Sequence, residues 1–570
     1  MNPALKMFLA TTGLRMLRHL LLAAACALIV LTPDHIFQIY QSGYQARFSG
    51  SSFIVLMTVF SLGLSGSMLL FFILSLVLAL LQLAELMHFS YFGSLISPQA
   101  VTLLFSESDE IMETLGKLLG HLALPISLIV AELILLTLLF RSTQRWRLRL
   151  PLVWLPLVVL FSILPVRAHS PGAIAQTFYP NPREYAVTNS LYAVSYFLGR
   201  DLPHRLSGET TGNSCQAYQS NRITEPQADN IVIIMGESLS ASHMSLFGYS
   251  RDTTPNLQRL ATSSEIFATV AYSAGVTTKV SLPMFYNIQR EPGNFEHLIR
   301  MDSNLFKLAK QQGFTTHYIS AQTANLATYV GERFIDNFKT RDDLEDDFAI
   351  HKDRALLDQL QQIDLSKRNF IILHQRNSHS PYDSQYPPAF ARYPTANLDF
   401  ANYMTNSYDN SILFTDSLVN EIIQHLKAHS TGRTLLLFTA DHAELLGETG
   451  KFGHIHLQVE TTRVPLVIYG QHLQAETLRR ITDLSQPTHY EIGKKIALLL
   501  GYSITNPNEL PGRYYVTGQD IGGNSGYMTL DKRPLSPRIS TSTAAYNAEA
   551  ICPRSVTRVD IHPASRAAGS

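Results

Sequence analysis

Residues 1–167 are strongly apolar, whereas the remainder has the composition of a water-soluble protein. This asymmetry constrains the fold first: one part must sit in lipid, and the other must bury a core of its own. Leu14–Leu31 is an apolar run with Arg15 and Arg18 at its start. No small-residue cleavage site follows it, so it reads as a retained transmembrane helix and not a removed signal. Phe53–Met87 is too long for one crossing, because a continuous helix over it would extend about 50 Å. Ser65–Gly66–Ser67, near its middle, offers a tight turn between two crossings. Leu119–Phe140 and the shorter Pro151–Pro165 are further spans, and between them lie Arg141, Arg145, Arg147 and Arg149 around Trp146.

Positive loops stay cytoplasmic. With the N-terminus inside, splitting Phe53–Met87 gives five crossings, holds the arginines inside and places everything after about residue 167 outside. Without the split the arginines would face out. The loop Ser90–Lys117, with Glu107, Asp109, Glu110 and Glu113, then faces outside. Glu85 and Glu132 fall within or near apolar spans, where carboxylates are often functional. Glu85 at an interface and Glu132 bonded to a neighbouring helix are the plainer expectations. Lys+Arg and Asp+Glu number 45 each, so no basic surface argues for nucleic acid. Of the 3 cysteines, Cys26 lies in an apolar span. Cys215 and Cys552 flank the soluble part, as a disulfide or as two thiols; spacing does not decide.

Residues 168–229 read as a connector. Tyr179–Pro180–Asn181–Pro182 is a breaker cluster, Ala186–Leu198 suits an amphipathic helix on the membrane surface, and Ser207–Asn221 is a polar, loose linker. From Asn230 to about residue 535, apolar strands alternate with helical patterns. The strands are Ile231–Met235, Thr316–Ile319, Phe370–His374, Leu435–Thr439 and Val464–Tyr469; the helices include Ser303–Gln312 and Tyr403–Leu426. That alternation predicts an α/β domain on a parallel sheet covered on both faces. The Ser-, Thr-, Ala- and Pro-rich tail, 536–570, is expected to be poorly ordered.

In such sheets ligands sit at the carboxyl ends of the strands. Ile231–Met235 ends in Gly236 and Glu237; Leu435–Thr439 is followed by the adjacent pair Asp441 and His442. Phe370–Leu373 leads into His374 and then Asn377–Ser378–His379–Ser380–Pro381, and Gly453–His454–Ile455–His456 adds imidazoles. Oxygen and nitrogen ligands of these types suit Zn²⁺, so the set reads as a metal or phosphate site. Ser273–Pro283 is a Gly-, Ser- and Thr-rich turn of the kind that opens a helix and attracts phosphate. A threonine there is either an N-cap or a nucleophile activated by a metal.

Taken in order, Glu237–Ser238, Gly248–Leu257, the Thr278 turn, Asn377–Pro381, Tyr408–Ile412 and Asp441–His442 through Gly447–Glu448 resemble the phosphoethanolamine transferases of Gram-negative inner membranes. These belong to the sulfatase/alkaline-phosphatase superfamily. The resemblance implies a multi-pass protein of the bacterial inner membrane: five helices, then a periplasmic catalytic domain. It implies zinc ligands at Glu237, Thr278, Asp441 and His442, with Thr278 the nucleophile by its spacing from Pro283, and His379 and His454 on the phosphate side. One Zn²⁺ would be tightly bound, and His379 and His454 are candidates for helping to hold a second. Thr278 would attack phosphatidylethanolamine, release diacylglycerol and pass phosphoethanolamine to lipopolysaccharide (lipid A or core sugar) or another envelope glycan.

The chain departs from the pattern of lipid A-modifying members. Ala274 and Met284 stand where those carry cysteines, Lys279 where a small residue is usual, and Ala443 where Gly follows Asp-His. Phosphoglycerol transfer and phosphatase or sulfatase chemistry are the alternatives within the superfamily. A sulfatase would want Cys or Ser in a Cys/Ser-x-Pro-x-Arg context, which Thr278–Lys279–Val280 does not supply. A non-catalytic metal-binding scaffold would need no activated threonine.

Overall fold

The computed structural model describes residues 3–41, 43–106, 122–170, 178, 180–181, 183–207, 209–213, 215–523, 525–531, 551–552 and 554–558. Its contacts divide it into two compact units, Met1–Ser207 with Gly450–Phe452, and Gly208–Thr449 with Gly453–Ser570.

The first unit is helical. Thr12–Tyr40, Met68–Phe92 and Ala123–Ser142 are long and apolar enough to cross a membrane; Gly50–Ser65 and Trp154–His169 are shorter apolar helices. The long apolar run breaks at Ser65–Gly66–Ser67: one helix ends at Ser65, and the Ser67 hydroxyl caps the next by accepting from the Leu70 N–H at 3.1 Å. Phe60, Leu64, Phe71, Leu78, Leu136 and Phe140 fill one apolar core, with Phe71 stacked on Phe140 at 4.5 Å. The loop carboxylates Glu107, Asp109, Glu110 and Glu113, and the first residues of the span expected from Leu119, lie outside the described residues.

The arginine segment folds against the start of the first helix. His19 Nδ1 accepts from the Leu148 N–H at 3.2 Å, Arg18 lies over Trp146, and the Leu150 N–H donates to Ser65 O at 3.1 Å. Asp34 marks another polar centre, where it accepts from Tyr44, Gln82 and the Ala186 N–H. Glu85 is fully buried and accepts from the Ile96 N–H and the Ser190 hydroxyl. Neither Glu132 oxygen has a hydrogen-bond partner among the described residues, so the expected bond to a neighbouring helix is not made. Ala186–Tyr196 is helical, and its small face (Ala186, Asn189, Ser190, Ala193) is buried, with Ser190 donating to Leu81 O.

The second unit is built on a seven-stranded sheet. In chain order its strands are β1 Asn230–Gly236, β2 Ile266–Tyr272, β3 Thr315–Ser320, β4 Asn337–Lys339, β5 Asn369–His374, β6 Thr434–Ala440 and β7 Arg463–Gln471. The spatial order is β2-β7-β6-β1-β5-β3-β4. β1 is buried throughout, as its run of β-branched residues requires, and pairs in parallel with β5 and β6. The sheet is not wholly parallel: β7, from the run Val464–Tyr469, is antiparallel to both β6 and β2. The chain between β6 and β7 holds no long crossover helix, and a parallel return needs one. β2 escaped the sequence reading because its middle is half-exposed Phe-Ala-Thr-Val, without a continuous buried run.

Asp399 caps the long helix Phe400–His429, which buries Tyr408, Ile412, Val419, Ile423 and Leu426. Ile233 sits in the middle of β1, fully buried between Ile372 and Leu437. Replacing it by Ala is expected to cost about 2–5 kcal/mol, read as a lowered denaturation midpoint with unchanged slope.

The polar segment read as a loose linker carries two short strands. Glu209–Asn213 pairs antiparallel with Arg554–Arg558, and Gln219–Arg222 pairs with Tyr502–Thr505. Both partners are hundreds of residues away, so local composition carried no trace of them. Cys215 and Cys552 form a disulfide, with Cα atoms 5.1 Å apart. The tail expected at 536–570 lies outside the described residues except for this cysteine, its neighbour Ile551 and the strand Arg554–Arg558.

Candidate active site

Parallel pairing sets the site. The register aligns Gly236 with Ala440 and Met235 with His374, so the first side chains beyond β1, β5 and β6 emerge at one sheet edge. Ser238 then takes a left-handed conformation (φ 51°). Its N–H donates to Asp441 Oδ1 at 3.0 Å, and its carbonyl accepts from Tyr408 Oη at 2.6 Å. These bonds pin a backbone geometry that a non-glycine residue rarely adopts.

The nucleophile turn docks onto that edge. Gly275 lets the chain pass close to the next helix, since a Cβ there would meet Val280 Cγ1 at 2.6 Å. Ala274, Val280 and Met284 pack with Ile521, so apolar contacts hold the turn at the two positions the resemblance would fill with cysteines. The helix Thr278–Tyr286 has Thr277 at its N-cap, and the Thr277 hydroxyl makes no cap bond. Thr278 is therefore not the N-cap. Its Oγ1 lies 3.3 Å from both Glu237 carboxylate oxygens and 3.3 Å from His442 Nε2.

Glu237, Asp441 and His442 each present a ligand atom, all within 4.8 Å of one another and all fully buried. Asp441 Oδ1 accepts from the Ser238 and His442 N–H groups, and Oδ2, 3.3 Å from His442 Nε2, has no hydrogen-bond donor among the described residues. His442 Nδ1 faces Ala443 O at 3.2 Å, which assigns the proton to Nδ1 and leaves the Nε2 lone pair toward Thr278 and the carboxylates. Burial and the nearby His454 push His442 down to about 3, so its ring is neutral. Burial raises both carboxyls; the neighbouring His374 pulls Glu237 below its usual range, while the Glu237 charge adds to the rise at Asp441. Two close carboxylates in a dry site cannot both ionise without a cation. An orphaned carboxylate oxygen, an imidazole lone pair and a hydroxyl converging there fit Zn²⁺ in kind.

Supporting groups surround these. Gln322 Nε2 donates to Glu237 Oε2 at 2.9 Å, and Arg376 Nη1 donates to Gln322 Oε1 at 3.0 Å. His374 Nδ1 meets Tyr318 Oη and Ser320 Oγ, and its Nε2 lies 3.7 Å from Glu237 Oε2. The Ser281 hydroxyl, one turn beyond Thr278, donates to Asp441 O at 2.5 Å.

The His454 ring lies tilted against the His442 ring, centroids 4.2 Å apart, and bonds Glu444 Oε2 through Nδ1 at 3.0 Å; Tyr382 Oη donates to Glu444 Oε1 at 2.7 Å. Burial opposes charge on His454, but Glu444 outweighs it and raises the ring. His379 lies within electrostatic reach of Glu237 and His442. Glu237, Thr278, Asp441 and His442 thus meet directly, with His454 one ring away and His379 at longer range. Gln322, Arg376 and Glu444 were not singled out as site residues. Gln322 falls two residues past β3, so the strand-end rule applied to Thr316–Ile319 would have found it.

Residues 229–501 match the protein-family model described as Sulfatase. The chain is 26% identical over 360 residues to the Kdo(2)-lipid A phosphoethanolamine 7''-transferase of Escherichia coli (strain K12), covering 58% of this chain and 61% of that protein. It is 26% identical over 319 residues to the phosphoethanolamine transferase EptA of the same strain, covering 52% and 56%. The matches therefore span somewhat over half the length of these curated relatives, 61% and 56%. Among solved structures, the integral membrane protein lipooligosaccharide phosphoethanolamine transferase A from Neisseria meningitidis aligns with a TM-score of 0.54 at 17% identity, covering 85% of this chain and 96% of that one. At that identity the likeness is one of fold.

Proposed function

We propose that the sulfatase-family domain of this membrane-anchored chain transfers phosphoethanolamine from phosphatidylethanolamine to lipopolysaccharide, on lipid A or a core sugar, or to another envelope glycan. The observation that carries this reading is the Thr278 hydroxyl held 3.3 Å from both Glu237 oxygens and from a neutral His442. Glu237, Thr278, Asp441 and His442 would hold one Zn²⁺, and His379 and His454 would face the phosphoryl oxygens or help hold a second. Bound there, the ion would supply positive charge to lower the hydroxyl pKa and offset charge on phosphorus.

The residues divide the work. Thr278 Oγ1 passes its proton to the Glu237 carboxylate and attacks phosphorus, the bond to diacylglycerol breaks, and a phosphoethanolamine ester on Thr278 results. His454, whose charged form the bond to Glu444 favours, donates a proton to the departing glycerol oxygen. An acceptor hydroxyl, giving its proton to the now neutral His454, or an ionised acceptor phosphate then attacks the same phosphorus, and Thr278 leaves, taking back its proton from Glu237. Gln322 and Arg376 keep the Glu237 carboxylate aimed at Thr278. A covalent relay suits a membrane enzyme, because donor and acceptor need not be bound together.

The same reading extends to topology: five crossings in a bacterial inner membrane, with the domain periplasmic. The Ser65–Gly66 turn, the arginine segment and the start of the first helix share one cluster of contacts, as a common cytoplasmic end requires. The Cys215–Cys552 disulfide suits an oxidising compartment. Mass spectrometry of envelope glycolipids from cells with and without the protein tests the function. A phosphoethanolamine addition present only with the protein is expected and would name the acceptor; identical spectra would overturn the reading.

A further inference from the structure

Three stretches of the sequence pattern take no part in the chemistry above: Gly248–Leu257, Tyr408–Ile412 and Gly447–Glu448. They converge on one residue, His243, buried in the turn Ala241–His243 just beyond Glu237. His243 Nδ1 lies 2.9 Å from Asp409 Oδ1, and Nε2 lies 2.9 Å from Glu448 Oε1. Asp409, on the helix Phe400–His429, also accepts from Arg251 Nη1 at 2.8 Å and Tyr249 Oη at 2.9 Å. Glu448 returns to its own loop, its Oε2 accepting from the Leu446 N–H at 2.7 Å. Tyr408, the neighbour of Asp409, accepts from the Ser240 N–H at 2.7 Å and donates to Ser238 O at 2.6 Å.

Asp441 and His442 begin the loop that ends at Glu448, and Glu237 begins the loop that holds His243. Besides the contacts at the ligands themselves, the imidazole is a direct side-chain link between these loops. Both ring nitrogens face carboxylates, so both must donate. Burial opposes the charge, but the bonds to Asp409 and Glu448 push His243 up to about 9, and the ring donates twice at neutral pH. The ring lies against Tyr249 in a tilted contact and against Tyr408 edge-to-face, which restricts the ring plane.

We infer that His243 is a positioning residue that fastens the loop bearing Asp441 and His442 to its own loop, which bears Glu237, through Glu448, while Asp409 ties the ring to the helix Phe400–His429. The inference rests on reading those three residues as the metal site. Because a supporting group acts by holding ligands and not by touching substrate, its loss should lower turnover and metal retention without altering donor binding.

The test uses the full chain in lipid nanodiscs containing phosphatidylethanolamine. Hydrogen–deuterium exchange of amides 441–449 is followed in the metal-stripped wild type, His243→Gln and Glu448→Gln. Exchange in this segment should rise in both variants while the β1 and β6 amides stay protected. With Zn²⁺ restored, kcat should fall about 10–100-fold in His243→Gln, KM for the lipid should stay within about twofold, and a chelator should strip the ion sooner. The double variant should be no worse than His243→Gln, since both changes cut one link. Glu448 is partly exposed and keeps its shape as Gln, so it serves if His243→Gln does not fold. Wild-type exchange in both variants, or an undiminished kcat, would overturn the inference. Failure of the wild type to bind Zn²⁺ would instead sink the proposed metal centre, while the exchange result would still decide the link.

Discussion

Thr278→Ala should abolish transfer and leave the fold intact. The N-cap position of the helix it opens is 277, so Ala at 278 removes no cap, and Ala is the best helix former. What is lost is the one hydroxyl that both Glu237 oxygens and His442 Nε2 approach at 3.3 Å. Removing a covalent nucleophile typically costs about 10⁴–10⁶ in kcat. Intact-protein mass spectrometry after incubation with phosphatidylethanolamine separates this from a binding defect: wild type should carry a phosphoethanolamine adduct, and the variant none. Zinc should still bind, less tightly. Undiminished transfer by the variant would remove Thr278 from the chemistry.

Asp441→Asn should give a protein that folds but responds weakly to zinc. The side-chain oxygen of Asn can still accept from the Ser238 and His442 N–H groups, while its amide nitrogen would occupy the place of Oδ2, which has no hydrogen-bond donor among the described residues. A donor then stands where a cation belongs. The metal-dependent rise in melting temperature, which follows from selective binding to the folded state, should shrink or vanish. In the metal-stripped protein the sign reverses. Burial, and then the Glu237 charge, raise the Asp441 carboxyl above its unfolded value. A raised folded pKa on an acid means that stability is lost as pH climbs above the ordinary carboxyl range near 4. The stability of metal-stripped wild type relative to Asp441→Asn should therefore fall from about pH 4 upward. An equal zinc shift in both proteins would count against Asp441 as a ligand.

The parts of the fold that were legible share a cause. β1, β5 and β6 are continuous apolar runs buried on both faces, and such runs announce themselves without context. The turn at Ser65–Gly66–Ser67 was legible because helix length is bounded by bilayer thickness. β2 was missed because an edge strand needs no continuous apolar run. The direction of β7 was missed because the apolar pattern of a strand is the same whichever way it runs. Gln322 lay within reach of the strand-end rule, two residues past β3, whereas nothing local distinguishes the supporting Arg376 guanidinium from one in solvent.

From the order of residues alone came the membrane-embedded beginning, the α/β character of the rest and the short set of strand-end groups able to bind a metal. Periodicity and burial cost are local quantities, and each stretch carries its own record of them. Distance was decided only by the tertiary structure. The parallel register sets Glu237 beside Asp441, the close passage at Gly275 brings Thr278 to them, and Cys215 meets a cysteine 337 residues away. Those meetings depend on how elements far apart in the chain pack against one another, and no stretch of sequence holds that information by itself.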